Sequence, residues 1–114
     1  MLQINCIGNI GNDATINETN GRKVISFSIA ENTIYKDKEG VKHEKTTWVN
    51  CSLWKDKKDE SKIAAYLTKG TKVFVQGIPE IQIWKDKDQT TKAGLHVTVK
   101  QVELLTVKEN EVKV

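Results

Sequence analysis

Two tryptophans of this sequence are set among polar residues, where an aromatic ring could stack on another planar group. In residues 46–54, Trp48 and Trp54 share one parity with Thr, Asn and Ser. The opposite parity is apolar and consists of Val49, Cys51 and Leu53. Because successive side chains of a strand point to opposite faces, burial of the apolar parity exposes both tryptophans. A second apolar layer that covers the rings is the alternative, and residues 46–54 alone leave it open.

Trp84 repeats this arrangement further along the chain. It shares a polar parity with Gln82, whereas two isoleucines occupy the other parity. The charged segment that follows is typical of a hairpin tip. Aspartates alternate with the lysines of this segment, and such runs are ordinarily solvated surface. Among the lysines near the rings, we expect Lys85 and Lys87 to contact an anionic ligand.

Short strands are the elements that must position these rings. Seven glycines and one proline separate segments rich in Val, Ile and Thr, which indicates a mostly β chain. Alternation predicts five strands, at residues 2–6, 25–30, 46–54, 73–84 and 95–100. Asn20-Gly21 predicts a tight turn, and residues 63–67 predict one short amphipathic helix that ends before Gly70. The remaining aromatic residues are expected in the core: Phe27, Tyr66 and Phe74.

This order of elements predicts the fold class. Five strands with one short helix between the third and fourth strands are the order of an all-β OB-fold barrel, a partly open barrel that binds oligonucleotides or oligosaccharides. Other small barrels also carry a helix, so the order does not decide the function.

Composition excludes several classes of protein. The chain has 114 residues, enough for one domain, and a formal net charge of +3, too small by itself to indicate nucleic-acid binding. No apolar stretch approaches the ~20 residues of a membrane helix, and the first residues lack the pattern of a signal peptide. We therefore expect a cytoplasmic protein with no membrane partner.

Metal, cofactor and catalytic sites are not expected either. Cys6 and Cys51 form no CxxC motif and lie in apolar strand patterns, where a cysteine is ordinarily a small buried hydrophobe. His43 and His96 have no Ser, Cys or carboxylate at a recognisable catalytic spacing. The sequence thus predicts no metal, no cofactor and no enzymatic activity.

Six segments give a more specific indication. They are residues 7–13 (IGNIGND), 27–30 (FSIA), 47–54 with a tryptophan at the second position and at the end, 66–70 (YLTKG), 73–77 (VFVQG) and 84–86 (WKD). In these segments the chain resembles the bacterial single-stranded DNA-binding protein family, and the resemblance runs from residue 2 to about residue 105. It implies an OB-fold domain over residues 1–105, followed by a short extension at residues 106–114.

The resemblance also implies a DNA-binding surface built from Tyr35, Trp48, Trp54 and Trp84. Tyr35 stands where the family often has Trp, and Trp54 where it often has Phe, and both keep a planar ring. The implied function is sequence-tolerant binding of single-stranded DNA by stacking and by lysine contacts to phosphate, which protects single strands in replication, recombination and repair. The implied state is a homotetramer whose dimers pair through the first strand, associated with the nucleoid.

Two other functions are weighed against this one. An OB-fold interaction module such as a primosomal replication protein would pack its aromatic residues against protein, and retention of all four aromatic positions argues against it. An enzyme or small-ligand binder is disfavoured by the missing catalytic residues. Residues 106–114 contain two lysines and two glutamates instead of the family's acidic, Phe-terminated tip, so recruitment of replication and repair enzymes through such a tip is not expected.

Overall fold

The structure is a computed structural model that describes residues 1–56 and 62–105. The expected extension at residues 106–114 lies outside the described residues. The elements in chain order are β1 (Ile4–Ile10), β2 (Thr15–Thr19), β3 (Arg22–Lys36), β4 (Lys42–Asp56), α1 (Ile63–Tyr66), β5 (Lys72–Lys85) and β6 (Thr91–Leu104). No helix in these described segments is long and apolar enough to cross a membrane.

Five of the strands close into the predicted OB-fold barrel. β1 pairs with β5 along most of its length and with β3 at Asn9 and Ile10. β3 pairs antiparallel with β4, β4 pairs parallel with β6, and β6 pairs antiparallel with β5, which closes the circuit. The single helical turn lies between β4 and β5, as the element order predicts.

A sixth strand, β2, was not predicted. It forms a hairpin with β3 through Asn20 and Gly21, whose φ angles of 49° and 78° fit the two-residue turn expected there. All five residues of β2 are exposed. Because neither face of β2 is buried, its sequence has no alternating apolar parity from which a strand could be predicted.

The barrel core contains the apolar parities of the predicted strands, including Val49, Cys51 and Leu53 of β4. Burial is the main reason that the pKa of the Cys51 thiol rises to about 12, and the nearby Cys6 adds to it. Burial also raises the pKa of Cys6, with a further contribution from Glu31. Both thiols are therefore protonated at neutral pH and act as packing groups.

The helical turn holds the loop that follows β1. Leu67, directly after the helix, is fully buried, and its carbonyl accepts the N–H of Ala14 at 2.9 Å. Gly70 has a φ of 90° and donates its N–H to the carbonyl of Ile10 at 2.8 Å. The prediction for Tyr66 was wrong, because a helix of one turn buries little of its surface and leaves Tyr66 44% exposed. Phe27 is buried, as predicted. Phe74 is only half-buried, because it lies on the parity of β5 opposite to the core residues Val73 and Val75, so the core prediction was wrong for it as well.

Two hairpin arms extend beyond the barrel. One consists of the end of β3 and the start of β4, and the other of the end of β5 and the start of β6. Most residues of both arms are exposed on both faces. Alternation therefore predicts nearly the full length of β5, and only the barrel portions of β3, β4 and β6.

Candidate functional site

Trp48 and Trp84 line the same groove. The groove has a volume of about 560 Å³ and lies between the β3–β4 arm and the β5–β6 arm. Lys45 also lines it on the first arm, and Ala93 and Gly94 line it on the second. The alternative of a second apolar layer is not seen for these rings: Trp48 is 56% and Trp84 48% exposed.

Trp54 lies on the same face of β4 as Trp48, since six residues separate them and side chains repeat every two. It is 38% exposed. Arg22, the single arginine of the chain, places its guanidinium 5.1 Å from the centroid of the Trp54 ring. This distance is that of a cation–π contact, which sequence periodicity did not predict.

Tyr35 is separated from the three tryptophans. It lies near the tip of the β3–β4 arm, where it is paired in register with His43 and is 50% exposed. The register places Tyr35 and His43 on the parity of the core residues Ile29 and Val49, opposite to the parity of Trp48. The structure therefore brings Trp48 and Trp84 together, keeps Trp54 on the same face, and places Tyr35 apart from them.

Glycines make room for two of the rings. A Cβ atom at Gly94 would lie 3.1 Å from the ring of Trp84, and one at Gly11 would collide with the ring of Trp48. Gly11 is fixed by its N–H, which donates to the carbonyl of Ser28 at 2.9 Å. Gly11, in the loop after β1, therefore makes room for the ring of Trp48.

A polar hollow of about 430 Å³ continues from the groove, and Asn50 lines both. Its polar lining includes Ser26, Ser28, Ser52, Gln82 and His96. Ser52 Oγ and His96 Nε2 are 2.8 Å apart, whereas His96 Nδ1 is buried without a hydrogen-bond partner in the described part of the chain. If Nδ1 carried the proton, a buried donor would have no acceptor, which is unfavourable. The proton therefore lies on Nε2, and Nε2–H donates to Ser52 Oγ. The hydroxyl proton of Ser52 is then left to donate to a ligand.

The tip of the β5–β6 arm is built around Asp86. Its Oδ1 accepts the backbone N–H groups of Asp88 at 2.9 Å and Thr90 at 3.0 Å, and its Oδ2 lies 3.9 Å from Lys92 Nζ. Asp86 is therefore occupied by the turn and by Lys92. Lys85 and Lys87 form no ion pair with any residue of segments 1–56 and 62–105, so both ammonium groups are available to an anion.

Three of the four aromatic residues are followed by the same tripeptide. Lys-Asp-Lys follows Tyr35, Trp54 and Trp84 at residues 36–38, 55–57 and 85–87. At Asp37 and Asp86 the structure shows the same role for the aspartate, which accepts two backbone N–H groups of its turn. This repetition is a sequence signal for the two arm tips, where the aspartate shapes the turn and lysines flank it.

A family model described as the single-strand binding protein family matches residues 1–105. This chain belongs to the single-strand binding protein family. Its relatives include a single-stranded DNA-binding protein of Deinococcus radiodurans, 33% identical over 106 residues, which are 92% of this chain and 34% of that protein. Single-stranded DNA-binding protein 1 of Chlorobaculum tepidum is 29% identical over 91% of this chain and 64% of its own length. The chain thus spans between a third and two thirds of these two relatives.

Solved structures agree with this family assignment. The Plasmodium falciparum SSB in complex with ssDNA superposes with a TM-score of 0.74 at 27% identity, over 93% of this chain and 96% of that one. The small single-stranded DNA-binding protein from Streptomyces coelicolor has a TM-score of 0.73 over 90% of this chain and 93% of its own. At 14% identity, the second comparison supports the OB-fold alone. For a single-strand binding protein, the groove between the two arms is the candidate nucleic-acid interface.

Proposed function

We propose that this protein binds single-stranded DNA with little dependence on sequence and protects exposed strands during replication, recombination and repair. The observation that carries the proposal is the groove in which the exposed rings of Trp48 and Trp84 face a common space. Relatives whose names state single-stranded DNA binding support it. In this role the protein works on the nucleoid in the cytoplasm.

Stacking is the main source of affinity in this proposal. Unpaired bases expose planar faces, and every base has one, so rings bind any sequence. The contribution already established for single-strand-binding OB-folds is ~1–3 kcal/mol per stacked base. Trp48 and Trp84 provide two adjacent stacking positions, Trp54 a third on the same face, and Tyr35 a separate fourth. The polar hollow beyond Asn50 offers hydrogen bonds to base edges without requiring one particular base.

Phosphate contacts are assigned to Lys85 and Lys87. Both follow Trp84 at the tip of the β5–β6 arm, and both are free of ion pairs with the described residues. A strand whose base stacks on Trp84 carries its phosphates past this tip. Each neutralised phosphate releases condensed counterions, so binding through these lysines weakens as salt rises.

A homotetramer is proposed as the working assembly. Only Asn9 and Ile10 of β1 pair with β3, so in the described chain one edge of β1 is unpaired from Ile4 to Gly8. Ile7 is exposed on this strand. Open strand edges are ordinarily covered or paired, and a second copy of β1 would cover this one and form a dimer. The step from two dimers to a tetramer is what the family resemblance implies.

Competition between single strands and duplexes tests the proposed function. Anisotropy of a labelled oligothymidylate should report saturable binding that an unlabelled single strand displaces and that a duplex of equal length displaces far less effectively. The duplex keeps its bases paired and hides their faces. Equal competition by the duplex would overturn the proposal.

The salt dependence of the same titration tests the lysines. The slope of log K against log salt should become shallower by about 0.7 for each phosphate that is no longer neutralised, so Lys85→Ala with Lys87→Ala should change it by about 1.4. An unchanged slope would show that these lysines do not contact phosphate.

A further inference from the structure

Two stacked rings lie near the tip of the β3–β4 arm, apart from the groove that holds Trp48 and Trp84. Tyr35 and His43 are register partners, and their ring centroids are 5.3 Å apart at an interplanar angle of 23°. This is the geometry of an offset stack between neighbouring strands. Since His43 covers one face of the phenol ring, the exposed part of Tyr35 is the surface left for a base.

Asp37 holds the imidazole in this position. Its Oδ1 accepts the backbone N–H groups of Glu39 and Val41, both at 2.9 Å, and its Oδ2 accepts Nε2–H of His43 at 2.8 Å. The hydrogen bond from His43 is the main reason that the pKa of Asp37 lies below its usual range, and the N–H of Val41 adds to it. Asp37 is therefore a carboxylate at neutral pH, which makes Nε2 of His43 the donor.

We propose that His43 is a positioning residue for Tyr35 in single-strand binding. The inference rests on the proposed function. A tyrosine already packed against a fixed ring loses less freedom when a base stacks on it, which favours binding.

The test measures the affinity of the full chain for a labelled oligothymidylate at fixed pH and ionic strength. His43→Phe keeps a ring that can stack on Tyr35 and removes the N–H and the charge. His43→Ala removes the ring as well. Asp37→Asn keeps Oδ1, which accepts the backbone N–H groups of the turn. It replaces Oδ2, which accepts Nε2–H of His43, by an amide NH2 group. Asp86→Asn makes the same change at the tip of the other arm, which has no histidine, and is the matched control.

His43→Ala should bind about two- to tenfold more weakly than the wild-type chain, the range that ordering one side chain supplies. His43→Phe should recover most of this loss, because it restores a ring against Tyr35, and should fall short of the wild-type affinity because it lacks the hydrogen bond to Asp37. Asp37→Asn should weaken binding more than Asp86→Asn does, because Asp37 alone of the two holds a ring that stacks on an exposed aromatic residue.

A wild-type affinity for His43→Ala, or an affinity of His43→Phe no higher than that of His43→Ala, would overturn the proposal while leaving the proposed function in place. Absence of binding by the wild-type chain would instead overturn the proposed function, and this inference with it.

Discussion

Replacement of Trp48 and Trp84 by alanine in one protein is expected to weaken binding to oligothymidylate by about 2–6 kcal/mol, twice the ~1–3 kcal/mol of a single stacked base. The two rings line one groove, so the double variant removes both adjacent stacking positions. Stability should change little, because both side chains are about half exposed and point away from the barrel core. Anisotropy titration and thermal denaturation followed by circular dichroism measure the two effects.

Ile83→Ala is the matched control for this double variant. Ile83 is an exposed apolar residue next to Trp84 on β5, and it does not line the groove. The control should bind as the wild-type chain does. If the double tryptophan variant binds as tightly as the wild-type chain, the groove is not part of the binding surface. A large decrease of its Tm would show that the two rings stabilise the fold instead.

A pair of glycine variants, one in β1 and one in the loop that follows it, is expected to separate folding from binding. A Cβ atom at Gly8 would lie 2.6 Å from the carbonyl oxygen of Ala30, so Gly8→Ala forces backbone to move and should cost about 1–3 kcal/mol of unfolding free energy. At Gly11 the main obstacle is the ring of Trp48, whose Cη2 would lie 3.0 Å away. Gly11→Ala should therefore displace the ring and weaken binding by up to the ~1–3 kcal/mol of one stacked base.

Urea denaturation and oligothymidylate titration of both variants check this separation. Neither glycine has a positive φ, so backbone strain from the new side chain contributes to neither the unfolding free energy nor the affinity. If Gly11→Ala binds as tightly as the wild-type chain, the position of the Trp48 ring is not what determines affinity. If Gly8→Ala is as stable as the wild-type chain, the contact between β1 and β3 at Gly8 has room for a methyl group.

Sequence periodicity predicts those parts of this protein in which one face is buried. The exposure of Trp48 follows from the aliphatic parity of Val49 and Cys51, because the barrel core requires that parity. The β3–β4 arm and β2 have no buried face, so alternation does not reveal them, whereas the alternation of Ile81 and Ile83 with polar residues does predict the β5 part of the other arm. Tyr35 came from the family resemblance alone, because the alternation that places Phe27 and Ile29 in the core does not show that β3 continues to residue 36.

Sequence periodicity also does not predict which side chains contact the aromatic rings. Arg22 reaches Trp54 because the β3–β4 register pairs Arg22 with Asp56, two positions from Trp54, and His43 reaches Tyr35 as its register partner across the arm. Each contact forms only after the two strands pair. The repeated Lys-Asp-Lys tripeptide is a local signal of both arm tips, because its aspartate is a turn residue in both, and the charged segment after Trp84 is a second signal for one of them.

The most direct test of stacking in the groove is the emission of single tryptophans. In proteins that retain only Trp48 or only Trp84, with the other tryptophans replaced by phenylalanine, saturating oligothymidylate should quench most of the emission. A duplex of equal length should leave it nearly unchanged. If anisotropy shows saturable binding of the single strand and the emission of neither tryptophan changes, stacking in the groove is contradicted. The bases would then be bound without contacting these rings.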